Sequence, residues 1–101
     1  VNFEQSLTRF LYLLEKRAKK HWAEHYPNLT PPKYMAMRRN KYIKVVEHDW
    51  EGGKRAYCWL NTNGEILKGD WKHIVDKRPR GNIFDINPLK GTNVFGVDYL
   101  V

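Results

Sequence analysis

Phe3, Leu7, Phe10, Leu11, Leu14, Ala18, Trp22 and Tyr26 recur at three- and four-residue steps. That spacing lays one apolar stripe down a helix of about six or seven turns. Asn2 stands at the N-cap position, with Gln5 at the third helical position as in a capping box. Glu4 near the start and Lys16, Arg17, Lys19 and Lys20 towards the end suit the helix macrodipole, and Pro27 stops the helix. Asn28-Leu-Thr-Pro-Pro32 is a connector, and beyond it the pattern turns strand-like. Lys33–Arg38 predicts a strand, Arg39-Asn40 a turn, and Lys41–His48, rich in β-branched and aromatic residues, a second strand. Ile43 and Val45 are expected on one face of it, Tyr42, Lys44 and Val46 on the other. Asp49–Lys54, with Gly52-Gly53, is a loop. Arg55–Asn61 predicts a third strand, with Ala56, Cys58 and Leu60 on one face and Tyr57 and Trp59 on the other.

Asn63-Gly64 is a hairpin signal of the type I′ kind, in which both central residues take positive φ. Glu65–Lys68 then returns as a fourth strand. Asp70 is placed to cap one short turn across Trp71–Val75, and Lys77–Asp85 reads as irregular but ordered backbone. Ile86–Val101, punctuated by Asn87-Pro88 and Gly91, reads as a short edge strand or an arm that packs on a neighbour. The helix stripe must be covered, and the sheet is the surface at hand. The expected fold is α+β: one long N-terminal helix on a three- to four-stranded antiparallel meander with an irregular C-terminal arm. Residues 1–101 are expected to form a single domain, since no repeat, low-complexity segment or linker divides them.

A chain of 101 residues has room for one core, and 14% of it is aromatic. A domain this small does not bury so many rings, so some are expected to meet a partner. Eighteen Lys and Arg against eleven Asp and Glu leave a net charge of +7. Such a charge favours polyanions, either nucleic acid or an acidic protein face, although it also serves solubility. The lone cysteine, Cys58, excludes an intramolecular disulfide and a cysteine-based zinc site, and its apolar run marks it as a buried inert thiol. No apolar run approaches the roughly 20 residues that span a bilayer, and no signal-peptide pattern is present. A soluble protein of a reducing cytoplasm, with no membrane contact, is expected.

Catalytic chemistry finds little support. His21-Trp-Ala-Glu-His25 matches the letters of a zinc-protease motif with two imidazoles on one helical face. Those enzymes need a third protein ligand and a cleft, in far larger chains, so these histidines are read as packing residues at a helix end. Ser6 and Cys58 have no His or acid at a telling spacing. Asp49, Asp70, Asp76 and Asp85 are placed as turn and cap residues. Gly52-Gly53 lacks the strand–loop–helix setting of a phosphate loop. The expectation is a non-enzyme with no cofactor and no metal.

Binding chemistry concentrates in two places. Arg38, Arg39 and Lys41, with Lys44 nearby, sit on a hairpin, where positive charge also blocks sheet edges from pairing. Lys68, Trp71, Lys72, Lys77, Arg78 and Arg80 fall where irregular backbone is expected, and such segments on a rigid scaffold commonly hold binding residues. These cations are candidates to follow a phosphate backbone while Trp71, or Trp59 and Tyr57 on the outer sheet face, stacks a base. The plainer alternative is that Trp71 and Phe84 plug the end of the sheet and the charges are merely solvated.

Over these same residues the chain resembles a group of small proteins from tailed bacteriophages. In that group a hairpin strand runs into Lys, Ser/Asp-Trp-Lys, a short basic stretch and Arg-Gly-Asn-Ile-Phe. The matching residues here are Tyr57-Cys-Trp-Leu-Asn61, Gly64-Glu-Ile-Leu-Lys68, Trp71-Lys72 and Arg80-Gly-Asn-Ile-Phe-Asp85. The match covers 41–85, with a weaker one over the helix. Ile74-Val-Asp76 departs from the Ala/Pro-rich pattern of the group, and 86–101 extend beyond its usual end. The resemblance implies a phage origin and a place in the host bacterial cytoplasm or the virion, and it brings no activity. The functional expectation is a phage accessory protein that binds DNA or RNA through phosphate contacts with weak sequence specificity. A module that binds a phage or host protein, as a virion component or an inhibitor of a host enzyme, is the alternative.

Overall fold

The Asn2 side chain accepts a hydrogen bond from the Gln5 backbone N–H at 2.8 Å, and a helix follows over Phe3–His25 (α1). The computed structural model describes residues 2–98. Leu7, Phe10, Leu14 and Ala18 form the buried face of α1, with Phe3, Leu11 and Trp22 half-buried beside them. Tyr26 ends the stripe outside the core, where its exposed ring leans on Trp22.

Five antiparallel strands follow in simple meander order: β1 Lys33–Arg38, β2 Ile43–His48, β3 Lys54–Leu60, β4 Glu65–Gly69 and β5 Ile74–Asn82. A small hairpin, β6 Thr92–Asn93 with β7 Gly96–Val97, closes the described chain. The fold is α+β, with the long helix on one face of the sheet. The strand count corrects the expected three or four. Lys77–Asn82, expected to be irregular, belongs to β5. It was hidden because its register breaks: Ile66 pairs with Gly81 and Lys68 with Asp76, so Lys77-Arg78-Pro79-Arg80 bulges out opposite Leu67 alone. The C-terminal segment is not a free arm either. Arg17 reaches from α1 to the Thr92 hydroxyl at 3.1 Å and to the Asn93 carbonyl at 2.9 Å, which ties the small hairpin to the helix. Tyr99–Val101, part of the expected arm, lie outside the described residues.

The expected alternation in β3 also fails at one point. Val45 pairs with Cys58 and Val46 with Ala56, so Tyr57 is an extra residue in a bulge and turns into the core with Cys58. There it packs edge-on against Tyr34, accepts a hydrogen bond from Arg17 at 2.7 Å and donates one to the Asn93 carbonyl. Burial pushes the Tyr57 hydroxyl up to about 12 and the Cys58 thiol upward too. Tyr57 is therefore withdrawn from the outer face.

Cross-strand neighbours share a face, and this sorts the sheet into two layers. Ile43, Leu60 and Ile66 form one row towards the helix, joined by Val45, Cys58 and Ile83. Lys44, Trp59 and Leu67 form a second row on the opposite face. All three are buried, yet they stand apart from the helix-side cluster.

Candidate nucleic-acid interface

What covers the outer row is the turn between β4 and β5. Asp70 Oδ1 accepts the backbone N–H groups of Lys72 and His73, both at 2.8 Å. Those two bonds, His73 first, hold its carboxyl below the usual carboxylate range. Asp70 thus caps this turn as expected, although the turn gives way to β5 at Ile74, before Val75. The Trp59 indole N–H donates to the Asp70 carbonyl at 2.9 Å. Gly69 admits that ring because a Cβ there would lie 2.3 Å from Trp59 Cδ1. Trp59 is consequently buried beneath the turn, which corrects its expected availability for stacking.

Lys44 lies under the same turn. Its residue is only 1% exposed, its Nζ donates to the Trp71 carbonyl at 2.7 Å, and the Trp71 ring centroid is 3.6 Å from that ammonium. The Trp59 ring centroid lies 5.5 Å from the same ammonium. Burial lowers the Lys44 pKa first and the neighbouring Arg39 lowers it further, while Asp70 raises it. Among the described residues no carboxylate forms a salt bridge with Lys44. A cation thus lies against two rings with another cation close by. Strand alternation puts Lys44 opposite Ile43 and Val45 and near the hairpin cations, but does not mark it as a site residue. The signal was a lone lysine in the apolar run Tyr42–Val46, opposite a tryptophan.

The expected site residues divide into two groups. Arg80 has a side chain only 2% exposed and donates to the carbonyls of Asp98 and Arg78 at 2.9 and 2.8 Å and to the Asp76 carboxylate at 3.2 Å. It is part of the fold and is withdrawn from the interface. Arg78 grips the same carboxylate at 2.7 Å, and this pairing holds the Asp76 carboxyl well below its usual range. Arg38 pairs with Glu4. Lys68 is half-buried on β4. Trp71, Lys72, Lys77, Arg39 and Lys41 are exposed, and none of these four cations forms a salt bridge with a described residue. Arg38, Arg39 and Lys41 line a cleft of about 320 Å³ with Phe3, Tyr42 and Asn61. Arg39 lies close enough to Lys44 to lower its pKa, which brings this one hairpin cation towards the Trp71 turn although the two are far apart in sequence.

Other chemistry is accounted for locally. No group of three or more metal-ligating side chains is present among the described residues. His21 packs edge-on against Trp22, Tyr26 and Phe95, with the His25 ring at 4.4 Å. A groove of about 380 Å³ is lined by Trp22, Leu29, Pro32, Glu47, Trp50 and Arg55 among others. Its Glu47 is held by Arg55 at 2.6 Å, and the nearby Asp49 caps its own loop. No described helix is long and apolar enough to cross a membrane. Comparison of the chain with protein-family models, with curated proteins and with solved structures finds no match.

Proposed function

We propose that this chain is a small, non-enzymatic phage accessory protein that binds nucleic acid on the outer sheet face, acting in the infected cell or the virion. The interface is the junction of the β1–β2 hairpin with the Asp70–His73 turn: Arg39, Lys44, Trp71 and Lys72, with the exposed Lys41 and Lys77 nearby in the chain, whereas Lys68 lines the cleft with Tyr57 and Val97 on the other side of the sheet. The observation that carries this reading is Lys44, a buried cation next to Arg39 with no carboxylate at ion-pair distance among the described residues. Within the fold that charge is met by the Trp71 carbonyl, two indole rings and the longer-range field of Asp70, and a phosphate at Arg39 and Lys72 would add the close countercharge. The remaining exposed cations are mostly lysines, which act as point charges rather than as bidentate base readers. Recognition is accordingly phosphate-led and weakly sequence-specific.

Titration of labelled single-stranded DNA, duplex DNA and RNA at several salt concentrations tests this. With about four phosphates neutralised, log K falls against log salt with a slope of roughly −2.8 for single strands and −3.6 for duplex. A slope near zero, or no binding to any of the three, removes the reading.

One observation favours a protein partner instead. Trp50 is 64% exposed beside the groove that Trp22, Leu29 and Pro32 line, and exposed aromatics of this kind anchor protein interfaces. A stoichiometric partner recovered from bacterial lysate after nuclease treatment, and lost in Trp50→Ala, supports that second reading.

A further inference from the structure

We propose that the Trp71 ring is a stacking platform for an unpaired base, which makes single-stranded nucleic acid the preferred ligand; this rests on the nucleic-acid reading above. Three rings were candidates for stacking. Tyr57 is turned into the core by its bulge, and Trp59 lies beneath the turn with its N–H bonded to Asp70. Trp71 remains 41% exposed. Lys44 Nζ, 3.6 Å from the ring centroid, occupies one of its faces, so the exposure falls on the opposite face and the rim.

The ring is also held in place before any ligand arrives. Lys44 bonds the Trp71 carbonyl as well as lying against its ring, and Asp70 fixes the turn on both following amides. An aromatic plane fixed in advance loses little freedom when a base settles on it. Lys72 is its exposed chain neighbour and Arg39 acts on Lys44 beneath it, so these two cations are the ones available to hold the phosphates next to that base. A base inside a duplex already has neighbours on both faces, so this platform contributes only to unpaired strands.

The test uses the full chain at one fixed salt concentration and three probes of equal length. These are a fluorescein-labelled oligothymidylate, the same strand with its bases replaced by abasic sites, and a duplex. Wild type is expected to bind the thymidylate about 5- to 150-fold more tightly than the abasic strand, the range of base–aromatic stacking. Trp71→Ala is expected to abolish that difference, Trp71→Phe to keep most of it, and neither to change duplex affinity more than about twofold. Equal wild-type affinity for the base-bearing and abasic strands overturns the platform while leaving phosphate binding intact. So does a Trp71→Ala loss that is the same on all three probes, since Trp71 then only covers Lys44. Binding to none of the probes overturns the underlying reading as well. The abasic comparison needs no substitution, so it stands even if Trp71→Ala unfolds the turn.

Discussion

Arg80 and Lys72 carry the same charge in the same basic stretch, yet the fold gives them opposite tasks. Arg80 satisfies two backbone carbonyls and the Asp76 carboxylate from a buried position, whereas Lys72 extends into solvent. Breaking a buried pair leaves the other partner uncompensated, so Arg80→Ala should cost about 3 kcal/mol in urea unfolding. Lys72→Ala should stay within about 0.5 kcal/mol of wild type and weaken nucleic-acid binding instead. Asp76, held chiefly by Arg78 and also by Arg80, makes this pairing visible through pH. Its carboxyl is depressed in the folded protein, so its contribution is complete above the unfolded carboxylate value of about 3.9 and is lost as pH falls towards the folded value. Asp76→Asn should therefore lower the urea midpoint by a constant amount from about pH 8 to 5, with the gap closing below about pH 4. Lys44 has the reverse sign. Its folded pKa is lowered, so it is a burden at neutral pH that lifts as pH rises through the folded value towards the unfolded one. Lys44→Met should hold or raise stability at pH 7 while lowering affinity for nucleic acid. A variant that loses both together would mean that Lys44 is only a strut for the turn.

Element by element, legibility in the sequence follows how far each segment obeys a single period. α1 obeys one for its whole length and was readable with its cap and its stop. β1 to β4 were readable as strands, but faces were lost wherever a bulge inserted a residue, as Tyr57 shows. β5 was not readable at all: Lys77-Arg-Pro-Arg80 has no alternation because those residues leave the ladder opposite Leu67. The β3–β4 turn falls at Asn63-Gly64 as the sequence predicts, but with a different geometry. Only Gly64 has positive φ, at 78°, and Gly64 N–H bonds back to the Asn61 carbonyl at 3.0 Å. That makes a three-residue loop with glycine in the left-handed position, not a type I′ pair. A Cβ at Gly64 would also lie 2.7 Å from the Phe84 ring, so Gly64→Ala should cost about 1–2 kcal/mol in chemical denaturation. The candidate site was half legible for a related reason. Its cations and Trp71 are visible as letters, whereas the meeting of Lys44 with Trp71 depends on a turn folding back across two strands.

Over the whole molecule, the net charge of +7 is arranged by residue type. Arg9 bonds the Ile83 and Asp85 carbonyls after β5 and Arg17 the Asn93 carbonyl of the small hairpin, while Arg38, Arg55, Arg78 and Arg80 pair with carboxylates. Among the described arginines Arg39 is the exception, and it lies at the proposed interface. The arginines thus hold the fold together at short range, where bonds are poorly screened, and the lysines supply most of the outward field, which salt screens within about 10 Å at 0.1 M. Folding and binding should therefore respond to salt with opposite signs. Raising salt from about 20 to 300 mM relieves repulsion among the surface lysines, so the thermal midpoint should hold or rise slightly. Over the same range affinity for single-stranded DNA should fall by about 2,000-fold if four phosphates are contacted. Calorimetry and anisotropy on one preparation read the two curves together. Parallel decline would mean that salt loosens the ion pairs of the fold and that weakened binding is only its consequence.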